Sequence, residues 1–382
     1  MTQAPDEHLS PAVFGDEGLG KVSRIARWWS EVDTVAIFAV VSLCLIGLLL
    51  GMASSAILAE RHDLGDFYFV KKQAFFSGVS ILFMLVISML PEKLIRSGSL
   101  AAMLFVLVMI CLLPLLGTDF GKGAVRWYSL GGMSVQPSEF FKPFFAVSIG
   151  GMMAMVTRGR SFGGVHASVF ILVLVVVVLA MQPDFGQAAL IFACWFLMYL
   201  VSGSSLTGMI GLVILAAAGG FLAYLNSEHV ARRIDNFLVQ EVDPTEQVGY
   251  SIRAIESGGM FGAGIGEGSV KFSLPDAHTD FIIAVAAEEY GFVMVLAIIL
   301  LYLTIVMRSF VRLMVEPRHD RRVIGCGLVG LLGLQALINI GVSVKFFPAK
   351  GMTLPFVSYG GSSAIAVGIT TGLLLAFTRR TR

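Results

Sequence analysis

Runs of about 20 apolar residues recur along this chain, and a helix rising 1.5 Å per residue needs a run of that length to cross the hydrocarbon of a bilayer. They fall at 32–53, 69–90, 98–116, 138–156, 166–182, 185–202, 207–225, 281–307, 322–344 and 358–378. The expected fold is therefore an all-α polytopic membrane protein of about ten transmembrane helices, with eight to eleven as the bounds. Composition agrees, because 56% of the 382 residues are hydrophobic, 14% are charged and the mean hydropathy is +0.83, outside the range of soluble domains. Between the fifth and sixth runs, Gln182-Pro183-Asp184-Phe185-Gly186 reads as a tight turn joining two short helices.

Lys and Arg in the short loops orient the bundle. With the N-terminus inside, the inner segments hold Lys21, Arg24, Arg27, Lys93, Arg96, Arg158, Arg160, Arg308, Arg312, Arg318, Arg321, Arg322, Arg379, Arg380 and Arg382. The outer loops are poorer, holding chiefly Arg61, Lys71, Lys72, Lys122, Arg126, Lys345 and Lys350. Both termini are expected in the cytoplasm, as a tail over 1–31 and a short tail over 379–382 that flank a membrane domain over 32–378. No small-residue cleavage site follows a short apolar region, so the first span is expected to be retained. The net charge of +1 gives no ground for a nucleic-acid partner. Cys44, Cys111, Cys194 and Cys326 each stand alone in apolar stretches and read as core or lipid-facing residues.

One extramembrane segment is out of proportion. Residues 226–280 form a long outer loop between the seventh and eighth spans, and long loops are often functional. It is rich in charge and ends in "LPDAHTDF", which brings His278 and Asp280 to the mouth of the eighth span. Asp280 is either a capping carboxylate or a reactive one. Glu288 lies eight residues on, about 12 Å along the helix. At that depth Glu288 and Glu289 need partners, and a structural pairing is the expectation. Glu139 and Lys142 open the fourth span three residues apart on one helical face, as an ion pair that shapes a cavity.

Other stretches carry weaker signals. The glycines at 258, 259, 262, 264, 266 and 268 do not fit GxGxxG, and read either as a phosphate-cradling backbone or as a flexible loop. The stretch "FPAKGMTLPFVSYGGSSA" (347–364) brings prolines, Gly360-Gly361 and the hydroxyls of Ser358, Tyr359, Ser362 and Ser363 to membrane depth, where a non-helical backbone has to line protein or water. Lys345 and Lys350 stand where they meet an anionic headgroup or simply snorkel. Glu241, Asp243 and Glu246 superficially resemble a metal cluster but read as solvated. Among known motifs, no HExxH, P-loop or Ser-His-Asp order is present.

Five stretches in order, "RWYSLGGMSVQPSEFFK" (126–142), "QPDFGQA" (182–188), "ESGGMFGAGIGEG" (256–268), "LPDAHTDFIIAVAAEE" (274–289) and "KGMTLPFVSYGGSS" (350–363), resemble the SEDS family, the FtsW, RodA and SpoVE group. The likeness runs from about residue 35 to 378. It implies a ten-helix peptidoglycan glycosyltransferase of the bacterial inner membrane that polymerises lipid II beside a class B penicillin-binding protein transpeptidase and other divisome membrane proteins. "KGMTLPF" implies the septal branch rather than the elongation branch. The family's catalytic aspartate falls on Asp280, its Glu–Lys pair on Glu139 and Lys142, and its Arg-Arg motif on Arg232 and Arg233.

Joining two lipid-linked sugars needs a base for the acceptor hydroxyl and positive charge for the departing diphosphate. Asp280 is the expected base in an inverting single displacement, with His278 tuning it or orienting its loop. Arg232, Arg233, Lys345, Lys350 and a divalent cation, Mg or Mn with unassigned ligands, are the expected counter-charges. Two other classes compete: a lipid II flippase, favoured by intramembrane carboxylates and broken helices, and a non-catalytic scaffold of the division complex.

Overall fold

The computed structural model describes residues 24–61, 67–119, 125–131, 133–155, 163–226, 228–238, 246–348 and 351–380. Each of the ten apolar runs is a helix: α2 (Thr34–Arg61), α3 (Tyr68–Met89), α4 (Glu92–Leu116), α5 (Pro137–Met153), α6 (Gly163–Met181), α7 (Phe185–Val201), α8 (Leu206–Asn226), α11 (Ile282–Met314), α12 (His319–Ser343) and α13 (Gly361–Phe377). Among the described residues, α2, α3, α4, α6, α8, α11 and α12 are long and apolar enough to cross a membrane, and α7 and α13 are shorter apolar helices. The tenth, α5, has 17 residues and carries Glu139 and Lys142 in its first turns. Outside the spans are α1 (Arg24–Glu31), the antiparallel hairpin of β1 (Tyr128–Leu130) and β2 (Met133–Val135), α9 (Glu228–Leu238) and α10 (Gln247–Gly258). The long outer loop is thus largely built structure.

Both ends of the described chain meet at one end of the bundle. The Arg380 amide donates to the Glu31 carbonyl at 3.1 Å, and Asp33, 2% exposed, receives Arg308 at 2.9 Å and Arg312 at 2.8 Å. Glu92 and Asp320 gather Arg96, Arg318 and Arg321 in the same way. The inner-face arginines that orient the chain are therefore held by carboxylates on neighbouring helices, which keeps them near the surface while tying the helix ends together.

The centre of the bundle is α12, which packs on α5, α7, α11 and α13. Lipid offers no hydrophobic drive between helices, so close van der Waals contact has to supply the attraction, and small residues permit it. The largest helix pair, α3 with α13, shows how: a Cβ on Gly368 would lie 2.4 Å from the Ser80 carbonyl oxygen, and one on Gly372 would lie 2.8 Å from that of Met84.

The eighth span is longer than its apolar run, ending at Met314, and it is broken. Gly291 takes φ 77° and ψ −176° inside α11, which releases backbone groups at membrane depth. The glycine-rich stretch after α10 repairs the break: Ala263 donates to the Glu288 carbonyl at 2.8 Å, and Phe292 donates to that of Gly259 at 2.9 Å. The carboxylates of Glu288 and Glu289 complete it. Glu288 accepts the Val270 and Lys271 amides at 2.7 and 2.8 Å, and Glu289 accepts the Gly266 amide at 2.6 Å and pairs with the Lys271 ammonium. Of the two readings of the glycine run, a phosphate cradle or a flexible loop, neither describes these amides: those of Gly262, Ala263, Gly264 and Gly266 are given to the protein's own oxygens.

This packing yields a graded expectation. A Cβ on Gly258 would lie 1.8 Å from the Ala287 carbonyl oxygen, whereas one on Gly266 (φ +83°) meets nothing within 4 Å. Gly258→Ala should destabilise by ~3 kcal/mol through overpacking, and Gly266→Ala by ~1 kcal/mol through its left-handed backbone alone. Thermal unfolding of the two purified variants beside wild type checks the order.

Candidate active site

A cavity of about 600 Å³ opens at the end of the bundle away from the termini. The position follows from α3: Ser88, near its C-terminal end, accepts the indole N–H of Trp28 in α1, while the cavity-lining Lys72 is sixteen residues earlier, about 24 Å along the axis. The walls come from α3, the hairpin, the starts of α5 and α10, the turn before α7, residues 276–280, and the chain around 351–363.

Asp280 stands on this wall in a tightly wound loop. The Thr279 and Asp280 amides both donate to the Asp276 carbonyl at 3.0 Å, and Asp276 adopts φ 54°. The N-cap of α11 is Phe281, whose side chain makes no capping bond, so Asp280 lies one position outside the helix. Distant side chains hold the loop. Asn339 of α12 donates to the carbonyls of Asp280 at 2.9 Å and Met352 at 2.6 Å. The Ser358 hydroxyl donates to the Thr279 carbonyl at 2.5 Å and receives the Leu354 amide at 2.9 Å, and the Tyr359 amide donates to the His278 carbonyl at 3.0 Å. The His278 ring lies 5.8 Å from that of Tyr359 and 6.5 Å from that of Phe69. Gly351 faces the carboxylate, since a Cβ there would lie 3.1 Å from Asp280 Oδ2.

The floor is a buried polar chain. Lys142 Nζ donates to Glu139 Oε2 at 2.8 Å and to Gln335 Oε1 at 2.9 Å, and Gln335 Nε2 reaches the Thr353 carbonyl at 3.0 Å. Glu139 also accepts Gln187 Nε2 at 2.5 Å. Glu139 and Lys142 are 3% and 4% exposed, and only the carboxylate faces the main cavity. Beside it Asp184, the N-cap of α7, accepts Gln136 Nε2 at 3.3 Å. Burial raises the Asp184 pKa above the ordinary carboxyl range, with Glu139 adding to the rise and Arg126 opposing it. The Arg126 guanidinium itself donates to the carbonyls of Gln182 at 3.0 Å and Pro183 at 2.6 Å, bracing the turn that the sequence marked.

The structure gathers Asp280, His278, Glu139 and Ser362 on one cavity, with Lys142 directly behind. Ser358 serves the loop's backbone, and Glu288 and Glu289 serve the broken helix. Of the expected counter-charges, the two whose side chains are described do not line the cavity. Arg232 is on α9, exposed, and pairs with Glu228 at 2.7 Å, and Lys345 does not line the cavity. The Arg233 side chain, Lys350, Glu241 and Asp243 lie outside what is described. Among the described residues, the cations that line the cavity are Lys72 and Arg126, which the sequence offered only as members of a sparse outer-face charge set. Asp184 and Asn339 were also missed, though each is visible as a polar residue beside or within an apolar run. Among the described residues no three His, Cys, Asp or Glu side chains form a metal cage.

Two expectations arise. Removing one partner of a buried ion pair strands the other, at a cost of about 3–5 kcal/mol. Glu139→Gln and Lys142→Met should each carry much of that loss while the double variant recovers most of it, as a thermal-unfolding cycle would show. Asp184 retains its proton in the folded chain over a range where the unfolded chain has lost it. Its contribution is therefore full below the ordinary carboxyl range and declines as pH rises through the raised value. The Tm advantage of Asp184→Asn over wild type should then be larger at pH 8 than at pH 4.

Comparison with known proteins places these features in a lineage. The family described as "Cell cycle protein", FTSW_RODA_SPOVE, matches residues 34–382. The probable peptidoglycan glycosyltransferase FtsW of Caulobacter vibrioides (strain NA1000 / CB15N) is 38% identical over 94% of this chain and 92% of its own. The protein of the same description from Trichlorobacter lovleyi is 35% identical over 94% of this chain and 95% of its own. Among solved structures, one described as "Structural coordination of polymerization and crosslinking by a peptidoglycan synthase complex" superposes with a TM-score of 0.74 at 26% identity, covering 91% of this chain and 97% of that one. The rod shape determining protein RodA of Thermus thermophilus gives 0.66 at 26% identity, over 92% and 97%.

Proposed function

The chain belongs to the FtsW, RodA and SpoVE family of cell cycle proteins, and on that footing we propose that it is a peptidoglycan glycosyltransferase that polymerises lipid II at the outer face of the inner membrane. The observation that carries the reading is Asp280: a carboxylate on the wall of a cavity at the outer helix ends, in a loop whose backbone carbonyls are held by Asn339, Ser358 and Tyr359. A lipid-linked sugar keeps its tail in the bilayer and projects its head to that level.

In the proposed reaction the acceptor's 4-hydroxyl oxygen attacks the anomeric carbon of the donor sugar. The bond from that carbon to the diphosphate oxygen breaks, its electron pair leaves with the polyprenyl diphosphate, and the hydroxyl proton passes to Asp280. A single displacement inverts the α-linked donor to a β-1,4 product with no sugar–enzyme bond. The backbone anchors on the 276–280 loop keep the base from swinging, which is the geometric condition for general-base catalysis. Glu139, Lys142 and Gln335 hold the floor beneath it. A divalent cation, Mg or Mn, is proposed to arrive with the diphosphate. The sequence "KGMTLPF" and the FtsW relatives support a septal role. The likeness to a peptidoglycan synthase complex supports a class B penicillin-binding protein as partner, with other divisome membrane proteins around it.

Asp280→Asn keeps the shape of the side chain and removes the base. Incubated with lipid II, a divalent cation and the matching transpeptidase, wild type should yield long glycan chains on a gel, and the folded variant should lose about 10²–10⁴-fold in rate. Equal polymerisation by both would overturn the assignment of the base.

A further inference from the structure

We propose that Lys72, together with the first amides of α13, receives the anionic diphosphate of the leaving polyprenyl carrier; the proposal rests on the polymerase reading above. The observation is the face that α3 presents to the start of α13. Phe69, Lys72 and Phe76 lie at i, i+3 and i+7, on one stripe of the helix. Phe69 packs against Tyr359 with ring centroids 5.6 Å apart. Phe76 lies under Gly361, where an added Cβ would meet the ring at 2.9 Å. Lys72, between these two contacts, is thereby set toward the N-cap of α13 at Gly360, and Lys72, Gly360, Gly361, Ser362 and Ser363 all line the cavity.

The charge at this corner is uncommitted. Lys72 Nζ lies 3.5 Å from the Tyr68 hydroxyl and 5.4 Å from the centre of its ring, and among the described residues it pairs with no carboxylate. Arg126, the other cation of the wall, spends two of its donors on backbone carbonyls. The opening amides of a helix have no acceptor within it, and the N-cap of α13 makes no side-chain capping bond. An ammonium beside such amides suits an oxyanion with several acceptors. The carboxylates of Glu139, Asp276 and Asp280 on the rest of the wall disfavour one. An anion entering the cavity is therefore directed to the Lys72 corner. As the glycosidic carbon–oxygen bond breaks, the electron pair it releases accumulates on oxygens that Lys72 faces.

The test measures binding of a polyprenyl diphosphate without sugar, by titration into the full chain in phosphatidylcholine nanodiscs. Lys72→Met should weaken binding about tenfold or more and slow polymerisation of lipid II, while Lys72→Arg restores most of both and Lys93→Met, exposed at the start of α4, binds as wild type does. Inorganic diphosphate should compete, whereas nanodiscs enriched in phosphatidylglycerol should leave binding unchanged. Equal displacement by phosphatidylglycerol would make the corner an ordinary headgroup contact and overturn the proposal. If wild type binds and a folded Lys72→Met binds equally, the residue assignment falls alone. If wild type does not bind polyprenyl diphosphate at all, the polymerase reading fails with it.

Discussion

A backbone that leaves helical geometry at membrane depth has no water to turn to, and the rest of this structure depends on how that debt is met. The stretch before α13, residues 351–360, lies outside any helix and closes a single turn, with the Val357 and Ser358 amides on the Leu354 carbonyl. Its carbonyls are taken up one by one: Met352 by Asn339, Thr353 by Gln335, Pro355 by the Tyr302 hydroxyl, and Val357 by Gln73, which also reaches the Gly47 carbonyl. Each donor is a polar side chain on an otherwise apolar face, from α3, α11 or α12. Leaving one such carbonyl without a donor costs about 1–3 kcal/mol, so the donors confine the loop to one path.

The same donors carry the site. Asn339 does not merely satisfy Met352, because its second bond goes to the Asp280 carbonyl. Gln335 joins Thr353 to Lys142 and so to Glu139. Stability and positioning are thus one network, and a side chain that holds the irregular backbone in place also fixes the direction of the carboxylate. The break in α11 follows the same logic on the other side of Asp280. Gly291 frees backbone groups, the segment from Gly259 to Gly266 pairs them, and Glu288 and Glu289 bind that segment through its amides and Lys271. The loop carrying Asp280 therefore hangs between two repaired interruptions and inherits rigidity from both.

This division explains what was legible in the sequence. Apolar length alone marks all ten membrane helices, since it answers to bilayer thickness rather than to tertiary contacts. The Glu139–Lys142 pair is legible because three residues along a helix is a contact fixed by local geometry. The depth of Glu288 and Glu289 announces a need for partners, but Lys271 sits across a glycine-rich loop whose path no local rule fixes. Gln73, Gln335 and Asn339 stand out as polar residues in apolar runs, yet their acceptors are carbonyls of distant residues, which carry no side-chain signature. Arg232 draws attention as one of an adjacent pair and is exposed on α9, while Lys72 is seen to line the cavity only when α13 is packed against α3.

The carboxylates make the final point about function. Glu288 and Glu289 are 1% exposed and are supplied with amides and an ammonium, so their charge is spent on structure. Asp184 is buried beside Glu139, and its raised pKa favours the neutral acid. Asp280 differs from all of these, because its loop is held through backbone carbonyls by Asn339, Ser358 and Tyr359 while the residue itself is only partly buried on a cavity wall. A base must be positioned, and the main chain of its loop is held at three carbonyls. With Lys72 proposed to receive the diphosphate, proton acceptance and anion stabilisation are assigned to different groups of one cavity, as a displacement between two lipid-linked sugars demands.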